Sequence, residues 1–146
     1  MPTKTLYTAH ASSTGGRNGH AETSDGALKL DLASPGAPNA KPGTTNPEQL
    51  FACGYAACFG GALDYVAQQK KTAVSGVVIN SSVDLKSGDD GFSIGVTLNV
   101  TVPGMAQADA EALVNAAHQV CPYSKATRGN IEVVLKVNDQ ELAKAA

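Results

Sequence analysis

Two thiols in unlike settings mark where this chain could do chemistry. Cys58 lies inside the apolar run NPEQLFACGYAACFGGALDYVA, and Cys121 opens CPYSKATRGN directly after an amphipathic stretch. The thiolate is the nucleophile, so a reactive cysteine needs a neighbour that favours its charged form. Cys58 falls about three turns inside the helix its surroundings predict, too deep for the N-terminal dipole to help, and burial alone raises a thiol pKa. A cation brought from elsewhere in the chain is therefore the requirement for reactivity. Arg17, in TGGRNG, is a candidate for that cation, and Glu48 is a candidate to orient it. Each residue also has a plain structural account. Cys58 suits a small buried hydrophobe, Arg17 a solvated hairpin tip, and Glu48 the first turn of a helix, where its charge complements the dipole.

The remaining chemistry-bearing residues are sparser. His118 precedes Cys121 by three positions, a ligand-like spacing, but two ligands do not make a zinc site, and no metal is expected. Cys53 stands five residues before Cys58, a rise of about 7.5 Å on a helix, which keeps the two from pairing within one helix. His10 and His20 read as strand or turn surface residues. No phosphate-binding loop, dinucleotide fingerprint or metalloprotease motif occurs, and the glycines at 15, 16 and 19 precede a strand, so they do not cradle phosphate.

The elements that must position these residues follow from periodicity. Residues 3–11 read as a weak strand, 13–19 as a Gly-rich turn and 20–24 as a short return strand. Leu28, Leu30 and Leu32 alternate with polar residues as a third strand. The Pro/Gly-rich segment 34–45 reads as a loop covering a site or an interface. Asn46 then suits an N-cap, Pro47 the first helical position and Gln49 a capping box, opening a helix to about Lys70 that is apolar on several sides. Val77, Ile79, Val83 and Leu85 alternate with polar neighbours, and Phe92 to Val102 alternate strictly, around SGDDG, a hairpin. Ala108 to Val120 follow helical spacing. Pro122 disfavours helical backbone at Cys121, so the helix breaks there. A turn at Gly129 leads into a last strand, Ile131 to Val137. The order βββ-α-ββ-α-β implies an α+β fold with a central buried helix.

At 146 residues the chain supports a single domain, 1–146. A 42% apolar content without Trp leaves a core rich in Gly and Ala, which a partner subunit would help to complete. A net charge of −2 gives no reason to expect nucleic acid or an anionic membrane as partner. No segment reads as a bilayer span, and the N-terminus lacks the apolar stretch of a secretory signal, so a cytoplasmic location with reduced thiols is the expectation.

NPEQLFACGYAACFGGALDYVA and VCPYSKATRGNIEVVLKV closely resemble the two signatures of the organic hydroperoxide resistance proteins of the Ohr/OsmC family, and TGGRNGHAETSDGALKLDLASPG is similar to that family's N-terminal segment. The similarity spans nearly the whole chain. The resemblance implies a peroxidatic role for Cys58 and a resolving role for Cys121. It also implies that Arg17 activates the thiol and that Glu48 holds the arginine. It implies an intertwined homodimer with sites at the subunit interface. The implied substrates are organic hydroperoxides, such as alkyl and fatty acid hydroperoxides. The implied reductant is external, dihydrolipoamide or a lipoylated protein, with no cofactor bound. Cys53 and Lys125 depart from the family pattern, where a small non-thiol residue and asparagine are usual, but neither falls on the four matched positions.

Glu48 and Cys58 lie ten residues apart on one helix, about 15 Å along its axis, so the expectation is that Glu48 and Arg17 serve the thiol of a partner subunit. Phe51, Tyr55 and Phe59 would favour alkyl or acyl chains in the substrate. A thiol redox sensor without turnover, or a small-molecule-binding stress protein on the same fold, are the alternatives.

Overall fold

In the computed structural model, which describes residues 2–143, the first strand is β1 (Ala11–Thr14) and lies later than the expected 3–11. A strand needs a partner. β1 pairs antiparallel with β2 (His20–Thr23) from Ala11↔Thr23 to Thr14↔His20, and β2 ends there, leaving residues 3–9 without a strand partner among the described residues. The turn between them uses Gly15 and Gly16 in the left-handed region, at φ 74° and 58°, where glycine meets no Cβ penalty. A single 3-10 turn, Gly16–Asn18, carries Arg17. β3 (Lys29–Asp31) completes a three-stranded antiparallel sheet.

This sheet belongs to the first of two compact units, which ends at Leu50. The long loop after β3 returns to it. Thr45 N–H donates to Asp31 O at 2.9 Å, and Ala33 N–H donates to Thr45 O at 3.0 Å. The helix start follows at once. Asn46 Oδ1 accepts the Gln49 N–H at 2.9 Å, the expected N-cap. The Gln49 side chain does not reach back as a capping box would; it accepts the Thr45 hydroxyl at 2.7 Å.

That helix, α1 (Pro47–Gln69), runs into the second unit, which begins at Phe51. There a hairpin of β4 (Val78–Gly88) and β5 (Gly91–Thr101) pairs from Val78↔Thr101 to Gly88↔Gly91. After β5 come α2 (Gln107–Val120), α3 (Pro122–Thr127), β6 (Val133–Val137) and β7 (Gln140–Glu141). β6 lies parallel to β5 and β7 antiparallel to β6, giving the order β4-β5-β6-β7. The architecture is α+β as expected, with α3 and β7 added to the expected order. Six residues hold too little periodicity to announce α3, and a two-residue strand has none.

The core of this unit joins Tyr55, Phe59, Leu63 and Val66 of α1 to alternate residues Val96, Leu98 and Val100 of β5 and to Leu113, Val114 and Ala117 of α2. Burying Phe59 and Leu63 completely contributes about 1.5–3 kcal/mol each. The buried positions of α1 keep to one face, while Cys53, Ala57, Gly61 and Tyr65 are exposed in the single chain. The expectation of burial on several sides is thus corrected: small apolar residues all round a helix do not say which side meets a core. By length and composition, with mean hydropathy 1.3 over an 18-residue window, α1 would suit a bilayer, contrary to the expectation that no segment does. Its inner face is nonetheless core to this unit.

α3 is docked by buried polar groups. Ser124 Oγ lies 2.8 Å from Tyr55 Oη and 2.8 Å from His118 Nδ1, and Tyr55 Oη lies 3.2 Å from Thr127 Oγ1. Buried polar groups left unpaired cost about 1–3 kcal/mol each, so this network fixes α3 against α1 and α2. Burial, and secondarily the Arg128 charge, hold the His118 imidazole below its usual range. The folded protein therefore keeps His118 neutral while the unfolded chain protonates it, and stability falls as pH drops below about 6.5. Acidification from about pH 7.5 to about pH 5 should lower the melting temperature of the wild type, with a flatter dependence in His118→Asn. Parallel pH profiles for the two proteins would refute this assignment.

Candidate active site

Pro122 stops α2 one residue early, because its ring excludes helical backbone at the preceding position. Cys121 accordingly takes an extended conformation, φ −65° and ψ 123°. It closes one helix and opens the next: its N–H donates to Ala117 O at 2.9 Å, and its carbonyl accepts Lys125 N–H at 3.0 Å. Proline then sits where a helix tolerates it best, at its first position. The break turns the fully buried Cys121 side chain toward α1, where its Sγ lies 3.7 Å from Cys58 Sγ. All three cysteines are free, with Cys58 half-buried and Cys53 exposed.

The restart of the helix brings a second consequence. The first N–H groups of a helix have no intrahelical acceptor. That of Tyr123 acts on Cys58. Burial pushes the Cys58 thiol above its ordinary value, the Tyr123 N–H pulls it part of the way back, and the Cys121 thiol adds to the rise. The break therefore supplies Cys58 with both a neighbouring thiol and a hydrogen-bond donor.

Aromatic rings surround this end of α1. Phe51, Tyr55 and Tyr123 pack with centroids 5.6–6.1 Å apart, edge-to-face or tilted. Tyr123 approaches α1 over Gly54, where a Cβ would stand 2.7 Å from the tyrosine hydroxyl. Phe59, the third expected aromatic, is fully buried in the core. Sequence reasoning passed over Gly54, Tyr123 and Ser124. Their signal was adjacency to the two cysteines within FACGYAAC and CPYS.

In the first unit, Arg17 meets Glu48 with two parallel hydrogen bonds, 2.9 Å from Nη1 to Oε2 and 2.6 Å from Nη2 to Oε1. The N-cap of α1 and the return of Thr45 to Asp31 set Glu48 in place, and the glycine turn presents Arg17. The pairing holds the Glu48 carboxyl below its usual range through the arginine hydrogen bond and raises the guanidinium by the same contact. The arginine remains 42% exposed, so this fork has donors to spare for a further partner. His118, considered with Cys121 as a ligand pair, has its Nδ1 committed to Ser124.

Comparison with known proteins agrees with the motifs. A family model described as OsmC-like protein matches residues 39–136. The organic hydroperoxide resistance protein of Xanthomonas axonopodis pv. citri (strain 306) is 55% identical over 92% of this chain and 96% of its own length. Organic hydroperoxide resistance protein OhrA of Bacillus subtilis is 51% identical, covering 90% of this chain and 96% of the relative. The crystal structure of an organic hydroperoxide resistance protein from Legionella pneumophila superposes with a TM-score of 0.85 at 52% identity, over 92% of this chain and 98% of that one. With matching fold, motifs and relatives, the chain belongs to the Ohr/OsmC family, in the branch of the organic hydroperoxide resistance proteins.

Proposed function

We propose that this protein is a cysteine peroxidase that reduces organic hydroperoxides to alcohols and so protects against oxidative stress. One observation carries it: two thiols 63 residues apart in sequence lie with their sulfurs 3.7 Å apart, close enough that a short side-chain rotation reaches the ~2.05 Å of a disulfide. The names of the relatives supply the substrate class.

Cys58 attacks the terminal oxygen of R–O–O–H as a thiolate. The O–O bond breaks, ROH leaves after protonation, and Cys58 becomes a sulfenic acid. Cys121 then attacks that sulfur, the S–S bond forms, and the hydroxyl departs as water. An external dithiol, dihydrolipoamide or a lipoylated protein, returns both thiols by exchange. The aromatic rings beside Cys58 suit an alkyl or acyl chain.

Within its own surroundings the Cys58 thiol is raised by burial, so the reaction needs a cation. Arg17 supplies it, oriented by Glu48. Ten residues of α1 separate Glu48 from Cys58, about 15 Å along the axis. We therefore assign the Arg17–Glu48 pair to the thiol of the partner subunit in a homodimer. The small and apolar exposed positions of α1, Ala57, Gly61 and Tyr65, suit such an interface.

The protein should turn over an alkyl hydroperoxide repeatedly with dihydrolipoamide, monitored by loss of peroxide. Cys58→Ser should fall to the uncatalysed background. Unchanged activity in Cys58→Ser, or stoichiometric oxidation without turnover in the wild type, would reject the enzyme in favour of a binding protein or a sensor. Titration of the Cys58 thiolate by ultraviolet absorbance tests the role of Arg17. Arg17→Ala should move the Cys58 pKa upward, above the ordinary ~8.5, because only the Tyr123 N–H then opposes burial. An unmoved titration would exclude Arg17 as the activating cation.

A further inference from the structure

Ser124 is the point where three helices meet. It lies one turn after Cys121, is fully buried, and has two partners at 2.8 Å: Tyr55 Oη from α1 and His118 Nδ1 from α2. A hydroxyl has one proton to donate. That proton goes to His118 Nδ1 or to Tyr55 Oη according to the tautomer of His118, and Ser124 Oγ accepts from the other. Thr127 Oγ1 lies 3.2 Å from Tyr55 Oη and donates to Ser124 O at 3.2 Å. The backbone of His118 is also held, since the Arg128 guanidinium donates to its carbonyl at 3.0 Å.

This network reaches Cys121 through the two helices it ties together. The backbone of Cys121 is tied into α2 through its N–H and into α3 through its carbonyl. Whatever sets the seat of α3 therefore sets the sulfur. Cys58, by contrast, is carried by α1, which meets the network through Tyr55.

We propose that His118 and Ser124 are positioning residues for the resolving step, holding the Cys121 sulfur where it captures the Cys58 sulfenic acid before a second peroxide does. The proposal rests on the peroxidase reading above. The sulfenic acid has two fates. Cys121 can attack its sulfur, forming the disulfide and releasing water. A second organic hydroperoxide can instead be attacked by the sulfenic sulfur: one oxygen is transferred, ROH leaves, and Cys58 becomes a sulfinic acid. Only the first route is intramolecular, and only its rate depends on where Cys121 sits. Loosening the network should slow the first route far more than the initial oxidation of Cys58.

The test compares wild type, His118→Ala, His118→Asn and Ser124→Ala, each shown by circular dichroism to be folded at the assay temperature. Cumene hydroperoxide is the probe, and rapid quench with mass spectrometry counts Cys58 sulfenic acid, Cys58–Cys121 disulfide and Cys58 sulfinic acid. In His118→Ala and Ser124→Ala, Cys58 oxidation should stay within about twofold of wild type, while disulfide formation slows about tenfold and the sulfinic fraction at excess peroxide rises in proportion. His118→Asn, which can place an amide near the position of Nδ1, should recover most of the wild-type partition. Equal partition in wild type, His118→Ala and Ser124→Ala would overturn the proposal. So would a His118→Asn protein as impaired as His118→Ala, since hydrogen bonding would then not be what matters. A wild type that oxidises Cys58 but never forms the Cys58–Cys121 disulfide would overturn the peroxidase reading itself, and the proposal with it.

Discussion

Pro122 disfavours a helical backbone at Cys121, and the geometry around the two thiols descends from that steric clash. A continuous helix would run α2 into α3 and leave the thiol among its turns. The extended Cys121, φ −65° and ψ 123°, instead swings the chain so that a new helix starts against α1. From this one break come the 3.7 Å approach of the sulfurs, the Tyr123 N–H acting on Cys58, and the placement of Ser124 between α1 and α2. The break is local and cheap, since proline at the first helical position forgoes a hydrogen bond the helix would not have made. Holding the new helix at its angle requires tertiary partners, and the buried hydroxyls of Tyr55, Ser124 and Thr127 with His118 provide them.

Electrostatics work in two separate places. Around Cys58, burial favours the neutral thiol, and a single backbone donor offsets it only in part. In the first unit, a bidentate ion pair between Arg17 and Glu48 fixes a guanidinium that keeps part of its surface free. Such a pair is worth little for stability where it is exposed to water. Its forked geometry is better suited to presenting charge to an anion, such as a thiolate or a polarised peroxide.

Much of this was legible along the chain, and the parts that were not share a cause. The N-cap at Asn46, the β4–β5 hairpin and the break at Cys121 depend on residues close in sequence, and each was readable from its own pattern. The start of β1 was misplaced because strand limits depend on where a distant partner ends, here β2. α1 looked buried on several sides because its Ala and Gly residues carry no mark of orientation. Arg17 could be named as the cation but equally as a solvated tip; the resemblance, not the spacing, favoured the first. The pairing of Arg17 with Glu48 across 31 residues and of Cys58 with Cys121 across 63 came from the resemblance and from no local pattern; the distances of 2.6 Å and 3.7 Å needed coordinates. His118 was weighed as a metal ligand on its spacing to Cys121, whereas its contact is with Ser124, whose importance appears only when three helices converge on it.

The central claim is that Cys58 and Cys121 form one redox pair. Peptide mass mapping of the reduced protein after one equivalent of an organic hydroperoxide addresses it most directly. The account predicts a Cys58–Cys121 crosslink as the main product, with Cys53 recovered as a free thiol. A crosslink through Cys53, or Cys58 oxidised with Cys121 still free, would contradict it.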